Sequence, residues 1–225
     1  MGVGRMLGRA IAPAGRKLAP EYTHGFVRQV LDRAIDGVGR LPGAAQAADR
    51  RLAKVDGDID KAVHDLIESH VRLAGLQGFL ANLGGLVTVA VTIPANVTGL
   101  ALLHCHMVAS IAHLRGYDLD DARVRNAVLA CLLGEDRVEE LVEKQQLPSS
   151  PMAIATAPVH DPELDRRIST EVTTDLITRV GGRRMVTMVG RRVPLVGGGI
   201  GAVTDAYATW QVGRYSDRAL LPRTT

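Results

Sequence analysis

The chain has few aromatic residues: Phe, Tyr and Trp together make up 3% of its 225 residues. Aromatic side chains fill the sheets of β-sandwiches and the pockets of catalytic α/β domains, so their scarcity argues against both classes. Glycine is frequent, with 24 residues, and small residues dominate the apolar segments. This composition favours helices whose backbones pack close together.

Cysteine is also scarce, and neither sign of charge dominates. The two cysteines, Cys105 and Cys131, lie in apolar segments, which predicts buried free thiols in a reducing compartment. The net charge is +3 and the sequence pI is about 9.1, with acids scattered among the bases. No zinc-finger, RRM or KH pattern is present, so we expect no nucleic-acid partner. The basic balance suits attraction to an anionic lipid surface.

The N-terminal segment lacks the features of a secretory signal, because Gly8 and Pro13 interrupt its apolar run. It carries four basic residues and no acid before Glu21: Arg5, Arg9, Arg16 and Lys17. We predict that residues 1–24 form a flexible basic tail, with a lipid-surface anchor as the alternative. Residues 25–225 are then one helical domain, and the expected location is cytoplasmic and associated with a membrane.

Charge is missing from a long central stretch. No Asp, Glu, Lys or Arg occurs from Leu73 to Leu114. Pro94 is predicted to divide this stretch into two helices of roughly 20 residues, each long enough to cross about 30 Å of bilayer. The first contains the glycine pair Gly84 and Gly85. Two interpretations remain open, a membrane-spanning hairpin and the core of a bundle that is soluble or bound to a membrane surface. The polar residues of the stretch and the missing aromatic belts favour the second.

Elsewhere, apolar residues recur at helical spacing. The predicted helices cover residues 26–38, 44–54, a segment from Ile59, one from an Asp118 or Asp120 cap to Gly134, 135–146, 161 to the Gly181–Gly182 pair, and Pro194 to about Leu220. A proline-rich loop is expected over 147–161, and no segment reads as strand. The predicted fold is all-α: a single bundle around a glycine-rich uncharged hairpin and a C-terminal small-residue helix.

The C-terminal helix has a face of small residues. Gly197, Gly201, Asp205 and Thr209 fall on one row of this helix, and Ala202 lies on the adjacent row. We predict that this face packs against one of the uncharged segments, because close approach requires small side chains on both helices. A buried Asp205 then needs a hydrogen-bond donor from another helix, such as His104, His106, Asn82 or Asn96.

Catalytic and metal-binding patterns are absent. His104 and His106 are two residues apart on a predicted helix, so their side chains point about 200° apart and cannot share one ion. We expect His104, His106 and Asn96 to be buried polar residues, with no metal and no cofactor. The serines read as mid-helix, and the Gly197–Gly199 run lacks the Lys-Ser/Thr ending of a phosphate loop. The sequence therefore predicts no catalytic residue and a protein that is not an enzyme.

Several motifs resemble the EcsC family over roughly Ile59 to Arg218. They comprise Gly78-Phe79, Leu83-Gly84-Gly85-Leu86, Val91 to Asn96, His113 to Asp118, Cys131 to Gly134, and Val193 to Ala202 with Asp205 and Gly213. The family is named from the third gene of a bacterial ABC-transporter cluster. The resemblance implies a helical protein linked to membrane transport or protein export, and it supplies no established catalytic residue. Many members place an acid shortly before the proline of Val91 to Asn96, and this chain does not.

These observations lead to one expected function and two alternatives. We expect a non-enzymatic, membrane-associated helical protein that acts as an accessory to an ABC transporter or to protein export. The first alternative is a soluble helical bundle that binds a partner protein or lipid. The second is an uncharacterised hydrolase. The oligomeric state is left open.

Overall fold

A computed structural model describes residues 25–83, 89–189 and 194–223. The structure is 77% helical, with nine helices in the described ranges, so the all-α prediction is confirmed. The helices, in chain order, are α1 Gly25–Asp36, α2 Ala44–Lys54, α3 Ile59–Leu83, α4 Val89–Leu114, α5 Ala122–Leu133, α6 Glu135–Glu143, α7 Pro151–Ala155, α8 Pro162–Val189 and α9 Pro194–Ala219. The predicted basic tail over 1–24 lies outside the described residues.

The helix starts follow local capping chemistry. Asp58 accepts a hydrogen bond from the Lys61 backbone N–H at 3.0 Å, and Asp161 accepts one from Glu163 at 2.9 Å. At α5 the predicted cap was wrong: Asp121 is the N-cap and accepts from the Arg123 backbone N–H at 2.8 Å. Asp118 accepts instead from the backbone N–H of Asp120, so it stabilises the turn before the helix.

Two predicted helix boundaries were wrong, one at Pro94 and one at the Gly181–Gly182 pair. Helix α4 begins at Val89 and continues through Pro94, so this proline does not divide the uncharged stretch. Pro94 is the sixth residue of α4, so it removes one backbone hydrogen bond, to Ala90, without ending the helix. Helix α8 continues through Gly181–Gly182 to Val189. Glycine costs a helix about 1 kcal/mol per residue but keeps its backbone hydrogen bond.

Two further predictions need correction. The proline-rich loop over 147–161 contains the short helix α7. Ser150 caps this helix, Pro151 occupies its start, and Ile154 and Ala155 are buried in the core. A two-stranded antiparallel hairpin, Gly37–Val38 (β1) with Leu41–Pro42 (β2), follows α1, although no strand was expected. Gly37 and Gly39 both have positive φ, which glycine adopts without strain.

Helix α4 is the central element of the bundle. Its C-terminal half is buried on nearly every side, from Ala101 through Cys105, Val108 and Ile111 to Leu114. Helices α1, α2, α3 and α5 surround it, and α9 packs mainly along α3. Within the described ranges, no helix combines the length and the hydropathy needed to cross a membrane.

Candidate functional site

Two of the three histidines in the uncharged stretch are buried in different surroundings. His106 is 4% exposed and its Nδ1 lies 3.1 Å from Nε2 of His70, a residue of α3. Its Nε2 lies 3.1 Å from the Pro42 carbonyl oxygen of the hairpin. His104 is 2% exposed and its Nε2 lies 2.9 Å from the Thr209 hydroxyl of α9. The two side chains therefore join α4 to opposite neighbours.

The contact between α3 and α9 is built from small residues. A Cβ at Gly75 of α3 would lie 3.6 Å from both the Ala202 carbonyl oxygen and the Ala206 Cβ of α9. A Cβ at Gly213 would lie 2.9 Å from Cγ2 of Ile67, closer than side chains normally pack. The two contacts pair rising numbers on α3 with falling numbers on α9, so the helices are antiparallel. The last helix thus packs on the first uncharged segment.

The remaining predicted packing residues are only partly described. Asp205 is buried on α9, one turn before Thr209. Gly84 and Gly85 lie outside the described residues. Pro94 and Asn96 lie on α4, and Gly197 and Gly201 lie on α9, but the surroundings of these four residues lie outside the described part of the structure.

Sequence reasoning missed the role of Arg115, which follows the uncharged stretch. Its guanidinium is 11% exposed and donates to Asp60 of α3 at 2.9 Å and to Asp217 of α9 at 2.6 Å. These contacts raise the arginine pKa despite its burial. The following Tyr117 donates its hydroxyl to the Leu221 carbonyl at 2.9 Å. The segment His113 to Asp118 therefore links α4 to α3, α9 and the C-terminal residues. The position of this arginine directly after a long uncharged stretch could have indicated that it pairs with acids of other helices.

The two thiols are poorly placed for chemistry. Cys105 and Cys131 are fully buried and free. Burial raises the pKa of Cys131 to about 12, and it also raises the pKa of Cys105, because a thiolate is poorly solvated in an apolar core. In the described part of the chain, no group of three or more His, Cys, Asp or Glu residues is arranged to hold a metal ion.

Three uncharged helix segments lie together at one end of the bundle, and the basic end of α8 is joined to one of them by a short link. The end of α3 (73–83) lies against the start of α9 (194–204), and Gln77 of α3 lies against Gly99 in the first part of α4 (89–99). Only residues 190–193 separate the end of α8 (176–189) from α9, so these termini are within about 18 Å. We call these four segments the apolar end.

The apolar end exposes large apolar side chains. Leu73 and Leu76 of α3 and Val203, Tyr207 and Trp210 of α9 are each about half exposed or more. The antiparallel register places Leu73 at the height of Tyr207, and Leu76 at the height of Val203. Tyr207 and Trp210 stack with ring centroids 6.0 Å apart at the border of the apolar end. Such a cluster on one surface is typical of a binding site.

In the sequence, the end of α8, the link to α9 and the start of α9 carry charge of one sign only. From Leu176 to Thr204 the chain contains no acid and five arginines, namely Arg179, Arg183, Arg184, Arg191 and Arg192. The segments from α3 and α4 contain no charge at all. The opposite helix ends carry charges of both signs, such as Asp60 and Asp217 paired with Arg115. The described charge is therefore mixed at that end.

Comparison with known proteins identifies the chain at the level of a family. The sequence model described as the EcsC protein family matches residues 49–223, most of the chain. No curated protein and no solved structure shows a significant match. The matched range contains α3 to α9, the Arg115 contacts and the apolar end. The chain belongs to the EcsC protein family.

Proposed function

We propose that this protein is a non-enzymatic, peripheral membrane-binding protein that contacts anionic lipid through the apolar end. The observation that carries the proposal is the exposed cluster of Leu73, Leu76, Val203, Tyr207 and Trp210, together with a sequence from Leu176 to Thr204 that contains five arginines and no acid. Tyrosine and tryptophan favour the membrane–water interface, since each has an apolar ring and a polar group. Arginines near an anionic surface contribute about 1 kcal/mol each to binding.

The order of residues along α9 fits a shallow insertion. Val203 is nearest the end, Tyr207 and Trp210 follow on the same stripe, and Arg214 lies one turn further. In this order the valine enters the acyl region, the aromatic pair lies among the headgroups, and Arg214 reaches the phosphates. The opposite end of the bundle carries acids as well as bases, so it should attract an anionic bilayer less than the apolar end does.

Vesicle co-sedimentation tests this proposal. We expect binding to vesicles that contain phosphatidylglycerol, weaker binding to purely zwitterionic vesicles, and loss of binding at high salt. Val203→Asp should weaken binding by at least about tenfold, or about 1.4 kcal/mol. The matched control is Val159→Asp, because Val159 is as exposed as Val203 but lies before the start of α8. Equal loss in both variants, or no binding by the wild type, would refute the proposal.

The basic residues are tested separately. Replacing Arg183 and Arg184 by alanine should lower the affinity for anionic vesicles by about 2 kcal/mol, roughly thirtyfold. The control replaces Arg33 and Arg50, two exposed arginines outside the apolar end, with the same change in net charge. Equal effects in the two double variants would mean that net charge, not the apolar end, governs binding.

A role as an accessory to an ABC transporter or to protein export is the finer proposal. Its support is family membership, together with a surface able to bring the protein to a membrane. Co-purification with the transporter subunits from native membranes should survive Val159→Asp and be lost in Val203→Asp. If Val203→Asp still binds the transporter in detergent, the apolar end serves lipid and another surface serves the partner.

A further inference from the structure

The buried pair His70 and His106 forms part of a continuous hydrogen-bonded chain. Nδ1 of His70 lies 2.8 Å from the Leu66 carbonyl oxygen, one turn earlier on α3. Nε2 of His70 lies 3.1 Å from Nδ1 of His106 on α4. Nε2 of His106 lies 3.1 Å from the Pro42 carbonyl oxygen in the hairpin. The two rings stack with centroids 5.3 Å apart and an interplanar angle of 27°.

Counting protons shows that this chain is incomplete when both rings are neutral. The chain has three contacts, and each needs one hydrogen, because the carbonyl oxygens of Leu66 and Pro42 can only accept. Two neutral imidazoles have only two N–H groups between them, so one contact lacks a hydrogen whichever tautomers are present. When both outer nitrogens carry the hydrogens, the inner nitrogens of His70 and His106 face each other with lone pairs alone. One further proton would complete all three contacts.

We infer that His70 and His106 form a buried proton-binding site, in which the two rings take up one shared proton in mild acid. The proton enters between Nε2 of His70 and Nδ1 of His106, and the pair gains one positive charge. No other bond is made or broken. Because the rings are in direct contact, the step belongs to the pair and not to either ring alone.

Burial sets the pH at which the site fills. His70 and His106 are 6% and 4% exposed, and an imidazolium loses solvation in such a place. Burial lowers the pKa of His70 to about 4, although the hydrogen bond to Leu66 acts in the opposite direction. Burial also lowers the pKa of His106, against the effect of its contact with Pro42. The site is therefore empty of its shared proton at neutral pH.

The charged groups around the pair do not offset this penalty. From α2, Arg51 further lowers the pKa of His70. From α4, no Asp, Glu, Lys or Arg is available, and His104 is directed to Thr209. On α3, Glu68 is paired with Arg72 and His64 at the surface. The hairpin contributes the exposed Arg40, and α9 contributes Asp205 one turn before Thr209. Within the described residues, no carboxylate contacts either ring.

The sign of the effect on stability follows from these pKa values. The pKa of His70 is lower in the folded chain than the value of 6.5 expected in the unfolded chain. The unfolded chain therefore binds protons more readily. The free energy of unfolding has its full value above about pH 6.5 and decreases as the pH falls towards about 4. The pair links α3 and α4 to the β1–β2 hairpin. Acid should therefore weaken the contacts among these three elements.

Nitrogen-detected NMR of the wild-type histidine side chains tests the inference. We expect the inner nitrogens of His70 and His106 to shift together, with one midpoint well below pH 6.5 and a total uptake of one proton. Two independent midpoints near pH 6.5 would overturn the inference, and so would rings that stay unprotonated until the chain unfolds.

Stability measurements provide a second test. Between about pH 7 and about pH 4, the unfolding equilibrium of the wild type should shift by about ten-thousandfold because of this pair, since the unfolded chain protonates both rings and the folded pair takes up one proton near pH 4. Replacing both rings together, His70→Gln with His106→Gln, removes both buried histidines, so this shift should disappear. His104→Gln changes the neighbouring buried histidine and should retain the shift. An unchanged shift in the double variant would overturn the inference; if that variant fails to fold, the wild-type NMR titration decides.

Discussion

Two glycines on the α3–α9 contact should respond to alanine in opposite directions. At Gly213 a new Cβ would lie 2.9 Å from Cγ2 and 3.0 Å from Cγ1 of Ile67, and 3.3 Å from the Met107 sulfur. Ile67 is 3% exposed and Met107 is fully buried, so neither side chain has free space to enter. At Gly75 the nearest atoms would be 3.6 Å away, an ordinary van der Waals distance.

The magnitudes follow from two opposing terms. Replacing glycine by alanine inside a helix gains about 1 kcal/mol because the unfolded chain loses freedom. Overpacking a buried contact costs about 1–3 kcal/mol. At Gly75 only the first term applies, so Gly75→Ala should stabilise the fold by about 0.5–1 kcal/mol. At Gly213 the second term exceeds the first because three atoms lie within 3.3 Å of the new Cβ, and Gly213→Ala should destabilise the fold by up to about 2 kcal/mol.

Urea unfolding followed by circular dichroism measures both variants against the wild type. The dependence of the unfolding free energy on urea should keep its slope, since neither change alters the surface exposed on unfolding. The expected melting temperatures move apart, by about 2–4 °C for each kcal/mol in a chain of this size. If Gly213→Ala is as stable as the wild type, or if both variants shift in the same direction, the close packing of α9 on α3 is wrong.

Three further predictions concern buried polar groups. Arg115→Ala should lower the unfolding free energy by about 2–3 kcal/mol, whereas Asp60→Ala should change it by less than about 0.5 kcal/mol because the Asp60 side chain is 84% exposed. Equal losses of the two variants in urea unfolding would contradict a stabilising role of the buried Arg115 contacts. The thiols of Cys105 and Cys131 should react with an aromatic disulfide reagent at neutral pH only when the chain unfolds, since burial raises the pKa of both thiols. Rapid labelling of the native protein would disprove this. Asp205→Leu should melt at a lower temperature than Asp205→Asn, which keeps an acceptor in this buried position, and equal melting would place Asp205 outside the packed face.

The helix starts could be predicted from sequence because capping is local. The Asp161-Pro162-Glu163 signal placed the start of α8, and Asp58 placed the start of α3, since each acid accepts from a backbone N–H only two or three residues away. Pro94 misled the prediction because a proline inside a helix removes one backbone hydrogen bond but does not always end the helix.

Contacts between distant residues were out of reach of the sequence. His70 and His106 are 36 residues apart, and nothing in their spacing indicates that the two rings meet. Arg115 and Asp217 are 102 residues apart, and their pairing depends on how α4 and α9 cross in the bundle. By contrast, the row that contains Asp205 and Thr209 was recognisable, because helical spacing defines a face even when its partner is unknown.

The fluorescence of Trp210 tests the proposed function most directly. Trp210 is the single tryptophan of the chain and is about half exposed at the border of the apolar end. Addition of vesicles containing phosphatidylglycerol should shift its emission to shorter wavelength, and brominated lipid chains should quench it, because the indole enters the headgroup region. Purely zwitterionic vesicles should have a much smaller effect. Emission that stays unchanged while the protein co-sediments with anionic vesicles would show that membrane binding, if any, occurs through another surface.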